Sequence, residues 1–227
     1  MRGTFARTVP TAARIDMAKN ANDSRHRHRL GILISGRGSN LQAIIDAIAD
    51  RRLDATIAIV VSNRPDALGL ARARDAGIET LCLDPRAYPD RAAFDQALAD
   101  VLRAHDVALV CLAGFMRRVG RPLLDAFPNR ILNIHPSLLP AFPGLDAQRQ
   151  ALDHGVRISG ATVHLVTSEL DGGPIVLQAA VPVLDRDTIE TLAARILVEE
   201  HRLYPEAIRL VLSGTWRLEG RRVLADS

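Results

Sequence analysis

The chain has 227 residues, of which 48% are hydrophobic, 24% charged and only 4% aromatic, so its length suits one α/β domain with a core of Ala, Leu, Val and Ile. No apolar run reaches the length of a membrane-spanning helix, and Lys19 is the only lysine, which removes Schiff-base and P-loop lysine chemistry from the folded body. The net charge of +3 belongs to the first 29 residues, which hold seven Arg/Lys against two Asp; the remainder carries 22 basic and 24 acidic groups, a poor footprint for nucleic acid.

Residues 1–29 show no apolar periodicity and end in alternating Arg and His. They read as a disordered basic extension, with Met17 as another possible initiator and an Arg-rich transit peptide as the competing interpretation. Residues 30–227 form the expected single domain. A short apolar run at 30–35 predicts a buried parallel strand, followed by a helix at 41–49 and a strand at 57–61. A helix at 67–76 stops at Gly77, and a strand at 78–83 follows. Next come a helix at 91–104, a strand at 107–112, a short helix at 122–126 and a strand at 131–134. Cys82 and Cys111 both fall in apolar runs, which argues against a disulfide framework or structural zinc and suits a reducing cytoplasm.

Repeated β-α-β units predict a Rossmann-like three-layer domain with a mostly parallel sheet. After Pro136 the rhythm breaks. A loop leads to a helix at 148–154, and runs at 159–167 and 174–183 predict an antiparallel or mixed edge. A long amphipathic helix at 188–212 and a small hairpin at 216–224 close the chain.

Ser35-Gly36-Arg37-Gly38-Ser39-Asn40 joins the first strand to the first helix. Glycines let backbone N–H groups approach an anion at the helix N-terminus, and Ser39 or Asn40 can cap that helix. Leu41 stands where a dinucleotide fingerprint needs its third glycine, and the second strand ends in Ser62-Asn63-Arg64 with no acid for a ribose diol. The turn therefore suits a single phosphate group better than a dinucleotide; a plain tight turn uses the same residues.

Asn133 and His135 interrupt an apolar strand at i and i+2, so they share a face, and Pro136 places them at the strand's carboxyl end, where open α/β sheets bind ligands. An amide beside an imidazole suits acyl chemistry: the amide holds a carbonyl oxygen as it becomes an oxyanion, and the imidazole donates to it or moves a proton. A hydrogen-bonded Asn/His pair that pins the next loop fits the same residues. The best carboxylate partner is Asp171, before Gly172-Gly173-Pro174, although turn chemistry alone accounts for Asp-Gly-Gly-Pro. A nearby carboxylate favours the charged form of a histidine. No Ser or Cys nucleophile is framed, which implies direct transfer without a covalent enzyme intermediate.

Four segments, Ile-Ser-Gly-Arg-Gly-Ser-Asn-Leu-Gln at 34–42, Leu-Ala-Gly-Phe-Met-Arg at 112–117, Leu-Asn-Ile-His-Pro-Ser-Leu-Leu-Pro at 132–140 and Glu-Leu-Asp-Gly-Gly-Pro at 169–174, resemble the folate-dependent phosphoribosylglycinamide formyltransferase family. The resemblance spans 30–212. It implies formyl transfer from 10-formyltetrahydrofolate, as co-substrate and without a metal, to the amine of glycinamide ribonucleotide. It makes Asn133, His135 and Asp171 the catalytic trio, with Gly38, Ser39, Asn40 and Glu200 on the phosphate and ribonucleotide. Arg91, Met116, Arg117, Arg118, Val119 and Asn133 fall to the folate, and His164 matches a recurrent histidine. Arg118 stands where an apolar residue is usual, Gly144-Leu145-Asp146-Ala147-Gln148 lacks the histidines often found there, and Leu197 replaces a polar residue.

Run length, charge and cysteine usage lead to the expectation of a cytoplasmic protein with no membrane or nucleic-acid partner, a monomer or homodimer. Rivals to the formyltransferase reading are formyltetrahydrofolate hydrolase, whose relatives carry an extra N-terminal domain, and a non-catalytic folate or sugar-phosphate sensor. A methionyl-tRNA formyltransferase needs a further C-terminal domain.

Overall fold

The computed structural model describes residues 28–225. Of the expected extension, residues 1–27 lie outside that range. Arg29 is the first residue of a strand, so the folded body begins one residue earlier than the sequence boundary.

The described residues form nine strands and six α-helices, with a short 3-10 helix at Pro85–Ala87. β1 (Arg29–Ile34), α1 (Ser39–Ala49), β2 (Thr56–Ser62), α2 (Leu68–Asp75), β3 (Thr80–Cys82), α3 (Arg91–Ala104), β4 (Leu109–Leu112), α4 (Arg121–Ala126) and β5 (Ile131–His135) form the first part. α5 (Ala147–Asp153), β6 (Ile158–Leu165), β7 (Ile175–Pro182), α6 (Ile189–Ser213), β8 (Trp216–Glu219) and β9 (Arg222–Ala225) form the second. They make one sheet of order β3-β2-β1-β4-β5-β6-β7-β9-β8. β1 to β5 run parallel, and β6 and β7 each reverse. No helix of the described residues is long and apolar enough to cross a membrane.

The side-chain period of two sorts each central strand between two cores. Leu30, Ile32 and Ile34 of β1 face one core with Ile44 of α1 and Ile196 and Ile208 of α6, whereas Leu33 joins Phe94 and Leu98 of α3 on the other. Helices thus cover both faces, the expected three layers. α3 starts where Asp90 accepts from the Ala93 N–H at 2.8 Å, and α6 where Thr188 and Thr191 form a reciprocal cap.

Three local expectations shift. The strand at 78–83 shrinks to β3, an edge element paired only with β2, and Cys82 at its end is exposed rather than buried. The strand at 107–112 begins its ladder at Leu109, because the Val107 N–H bonds Leu102 at the end of α3. β7 is not the sheet edge: the hairpin β8–β9 extends the sheet beyond it.

Tyr204 of α6, fully buried, places its hydroxyl 3.0 Å from the Leu112 carbonyl and 3.1 Å from that of Leu132. The long helix is thereby locked onto the carboxyl end of β4 and the start of β5. A buried hydroxyl that meets such acceptors adds about 1 kcal/mol to stability.

Candidate active site

The polar cluster lies where β1, β4 and β5 end. β1 runs into the glycine turn, and Gly38 takes the left-handed region at φ 73°. A Cβ there would come within 2.6 Å of the Gly69 Cα, so only glycine allows α2 to approach the turn backbone to backbone. Gly38 itself occupies the N-cap of α1, with no side-chain cap bond. The expectation that Ser39 or Asn40 caps this helix is therefore corrected. Asn40 instead turns inward and donates from Nδ2 to Oε2 of Glu200 at 2.7 Å, and its own Oδ1 is buried without a partner. The uncapped first-turn N–H groups, which carry the positive end of the helix dipole, are left for an anion.

Beside Ser39 lies a cavity of about 330 Å³ that Gln42, Arg72 and His201 also line. Arg72 reaches the turn directly, donating from Nε to the Arg37 carbonyl at 3.0 Å. His201 buries an Nε2 that has no partner. Burial pushes the His201 pKa down, and neither Arg72 nor His201 belongs to a local motif that spacing could reveal.

Asn133 and His135 project from the same face of β5 as expected. Nε2 of His135 donates to the Phe142 carbonyl at 2.8 Å, since a carbonyl can only accept, and Nδ1 faces Oδ2 of Asp171 at 3.5 Å. Both side chains are nearly enclosed, at 6% and 10% exposure. Asp171 reaches this point in the left-handed region, at φ 49°, and its Oδ2 also accepts the Gly144 N–H at 2.7 Å. Gly173 explains why two glycines follow: a Cβ at that position would collide with the Leu165 carbonyl, which closes the base of the loop.

His164, opposite Asn133 in the β5–β6 ladder, decides how the amide points. Its Nδ1 donates to the Leu165 carbonyl at 3.0 Å, and burial pushes its pKa down. A neutral ring protonated at Nδ1 leaves Nε2 as an acceptor, so Nδ2 of Asn133 donates to it at 3.2 Å. Asp171 Oδ1 lies 3.7 Å from the same Nε2, too far for a hydrogen bond. An amide carries two N–H groups, and the second remains for a ligand.

Glu200 joins the halves. Burial pushes its carboxyl pKa up, while the Asn40 amide and the charge of His135 pull it down. It stands on the apolar stripe of α6, four residues after Ile196 and three before Leu203. An acid on such a stripe is a signal that the sequence carries independently of any resemblance.

The segment 113–120 leaves β4 beside Asn133, which pairs in register with Leu112. The Gly114 carbonyl accepts from the Ser35 N–H at 3.1 Å, and the Met116 N–H donates to Ser35 Oγ at 2.8 Å, so this loop leans on the glycine turn. Met116 and Arg118 are exposed and Val119 is half-buried. Arg117 lies 5.0 Å over the Phe94 ring, and its Nε is buried without a partner. Asp95, also unforeseen, accepts the Gly120 N–H at 2.8 Å; burial raises its carboxyl pKa against the pull of Arg91 and Arg117. The Arg91, Arg117 and Gly120 side of the site thus shares one buried acid. A cavity of about 400 Å³ continues from Arg117 toward Arg64 and Arg86.

An amide, an imidazole and carboxylates converge at the strand ends without a framed Ser or Cys. The one cysteine near them, Cys111, is fully buried, and burial raises its thiol pKa. Fold and site therefore define a class: a Rossmann-like α/β domain arranged for chemistry at a carbonyl group. The chain belongs to the formyl transferase family, whose model matches residues 28–208.

Among curated proteins, the phosphoribosylglycinamide formyltransferase of Escherichia coli (strain K12) is 47% identical over 190 residues, covering 84% of this chain and 87% of that protein. The trifunctional purine biosynthetic protein adenosine-3 of Bos taurus is 48% identical over 190 residues, but the match spans only 19% of its length. The crystal structure of glycinamide ribonucleotide transformylase 1 from Symbiobacterium toebii superposes with a TM-score of 0.88 at 62% identity, covering 89% of this chain and 95% of that one.

Proposed function

We propose that the chain transfers the formyl group of 10-formyltetrahydrofolate to the amine of glycinamide ribonucleotide, a step of purine biosynthesis in the cytoplasm. The observation that carries this reading is the meeting of Asn133, His135 and Asp171 with the Asn40–Glu200 pair at one end of the sheet.

The ribonucleotide phosphate sits on the first-turn amides at Gly38, Ser39 and Asn40, with Arg72 and His201 in the adjoining cavity. Glu200 receives the ribose. The folate lies along Arg91 and residues Met116 to Val119, which brings its formyl group beside Asn133. The amine lone pair attacks the formyl carbon, a C–N bond forms, and the carbonyl electrons move to oxygen. Asn133 donates its free N–H to that oxyanion, and the His135 imidazolium stabilises it by charge. For His135 to donate a proton directly, Nε2 exchanges the Phe142 carbonyl for the oxyanion. Asp171, facing Nδ1 of His135, takes the amine's proton through water. The oxyanion electrons re-form the carbonyl, and the bond to the folate nitrogen breaks, its electron pair going to that nitrogen. The nitrogen takes up the proton removed from the amine, relayed through water from Asp171.

The test is a two-substrate assay on the purified chain, with the ribonucleotide present or withheld. Loss of the formyl donor only when the amine is present supports transfer. Equal loss without it makes the protein a hydrolase, and tight folate binding without turnover makes it a sensor.

A further inference from the structure

β8 and β9 lie beyond residue 208, where the family match ends, and the trio makes no use of them. The hairpin is nevertheless docked. Ile175 of β7, the residue after Pro174, pairs with Arg222 of β9. Trp216 donates from Nε1 to the Val211 carbonyl at 3.0 Å, and Trp216, Leu218 and Val223 pack on the larger core.

From the hairpin's turn, Arg221 reaches back to the segment that bears Asp171. Its Nη2 donates to the Gly172 carbonyl at 2.6 Å, and its Nη1 lies 3.5 Å from Oε2 of Glu169. The two contacts straddle Asp171, one residue beyond it and two before. Glu169 folds tightly under Gly172, where no Cβ would fit against its side chain, so carbonyl and carboxylate lie within reach of one guanidinium. Asp171 needs such restraint, because an aspartate at φ 49° occupies a sparsely populated region that its surroundings must enforce. The gap from Asp171 to His135, at 3.5 Å, is longer than a formed hydrogen bond, so a small displacement of this segment opens or closes the pair.

The geometry points to Arg221 as a positioning residue for the formyl transfer: its guanidinium staples the chain on both sides of Asp171 and sets the distance to His135. The ion pair with Glu169 is 69% exposed on each side, so it adds little to the stability of the whole fold, and its loss is read in local opening of 168–173. The charge-assisted bond to the Gly172 carbonyl supplies direction. Its kinetic consequence rests on the proposed function, whereas the staple itself is measurable without turnover.

The experiment compares the full chain with Arg221→Ala, Arg221→Lys and Glu169→Gln by hydrogen–deuterium exchange without ligand and by steady-state transfer. In Arg221→Ala, amides of 168–173 exchange faster while β5 and α6 are unchanged. Its kcat falls roughly three- to tenfold with the ribonucleotide KM nearly constant. Arg221→Lys, whose ammonium still reaches the Gly172 carbonyl, recovers most of both. Unchanged exchange in Arg221→Ala overturns the staple, and faster exchange with full kcat overturns its part in the reaction. If Arg221→Ala loosens the whole chain, Glu169→Gln must raise exchange at 168–173 alone; its failure to do so overturns the proposal. A wild-type chain without transfer activity refutes the functional reading, and the exchange comparison still decides the staple.

Discussion

Asn40 and Glu200, 160 positions apart in the chain, meet inside the molecule at 2.7 Å, each only 8% exposed. Their bond ties the glycine turn to the last helix and sets a buried acid within the field of His135. Burial makes a charge costly at this position and pushes the Glu200 carboxyl pKa up.

Glu200→Gln keeps the acceptor for Asn40 and removes that charge. Burial holds the folded-state pKa of Glu200 above its ordinary 4.5, so the fold favours the protonated acid. That preference is fully present below the unfolded pKa and is lost as pH rises through the folded one. The variant therefore melts at a higher temperature than wild type at pH 8, and the difference vanishes below about pH 4. It also binds the ribonucleotide more weakly. A melting difference that ignores pH removes the burial argument.

His135→Ala and Asp171→Ala each lower kcat by about 10²- to 10⁴-fold, the usual range for a lost proton-transfer partner. Steady-state transfer with both substrates saturating measures this. Near-normal turnover in either variant takes that residue out of the mechanism.

Asn133→Ala removes the proposed oxyanion donor and costs about 10²- to 10³-fold in kcat. His164→Leu leaves Asn133 in place but takes away the acceptor that aims its amide, and kcat falls by about tenfold with either KM nearly unchanged. Equal losses from the two variants would mean that His164 acts on the substrate itself rather than through Asn133.

Ser39→Ala and Arg72→Ala raise the ribonucleotide KM before they touch kcat, because phosphate binding is shared by ground and transition states. The same variants handle a dephosphorylated acceptor as wild type does. If folate affinity falls instead, the two half-sites are interchanged.

Local physics made much of this protein legible from its residues alone. Strand periodicity, the glycine turn, the Asn133/His135 face and the stop at Pro136 all depend on neighbours within a few positions, and β1, α1 and β5 appear where the pattern put them. Partners from distant segments are another matter. Asn40 had the chemistry of a helix cap, yet Glu200 claimed its amide, because a side chain bonds whatever acceptor the packed fold delivers. Arg72, His201, Asp95 and Arg221 carry no motif; each matters through what surrounds it, and the neutral state of His164 follows from burial that no local spacing encodes. Composition and spacing thus determined the layers and the strand-end polar residues, whereas the tertiary structure decided which of them touch, how they are charged and which way they point.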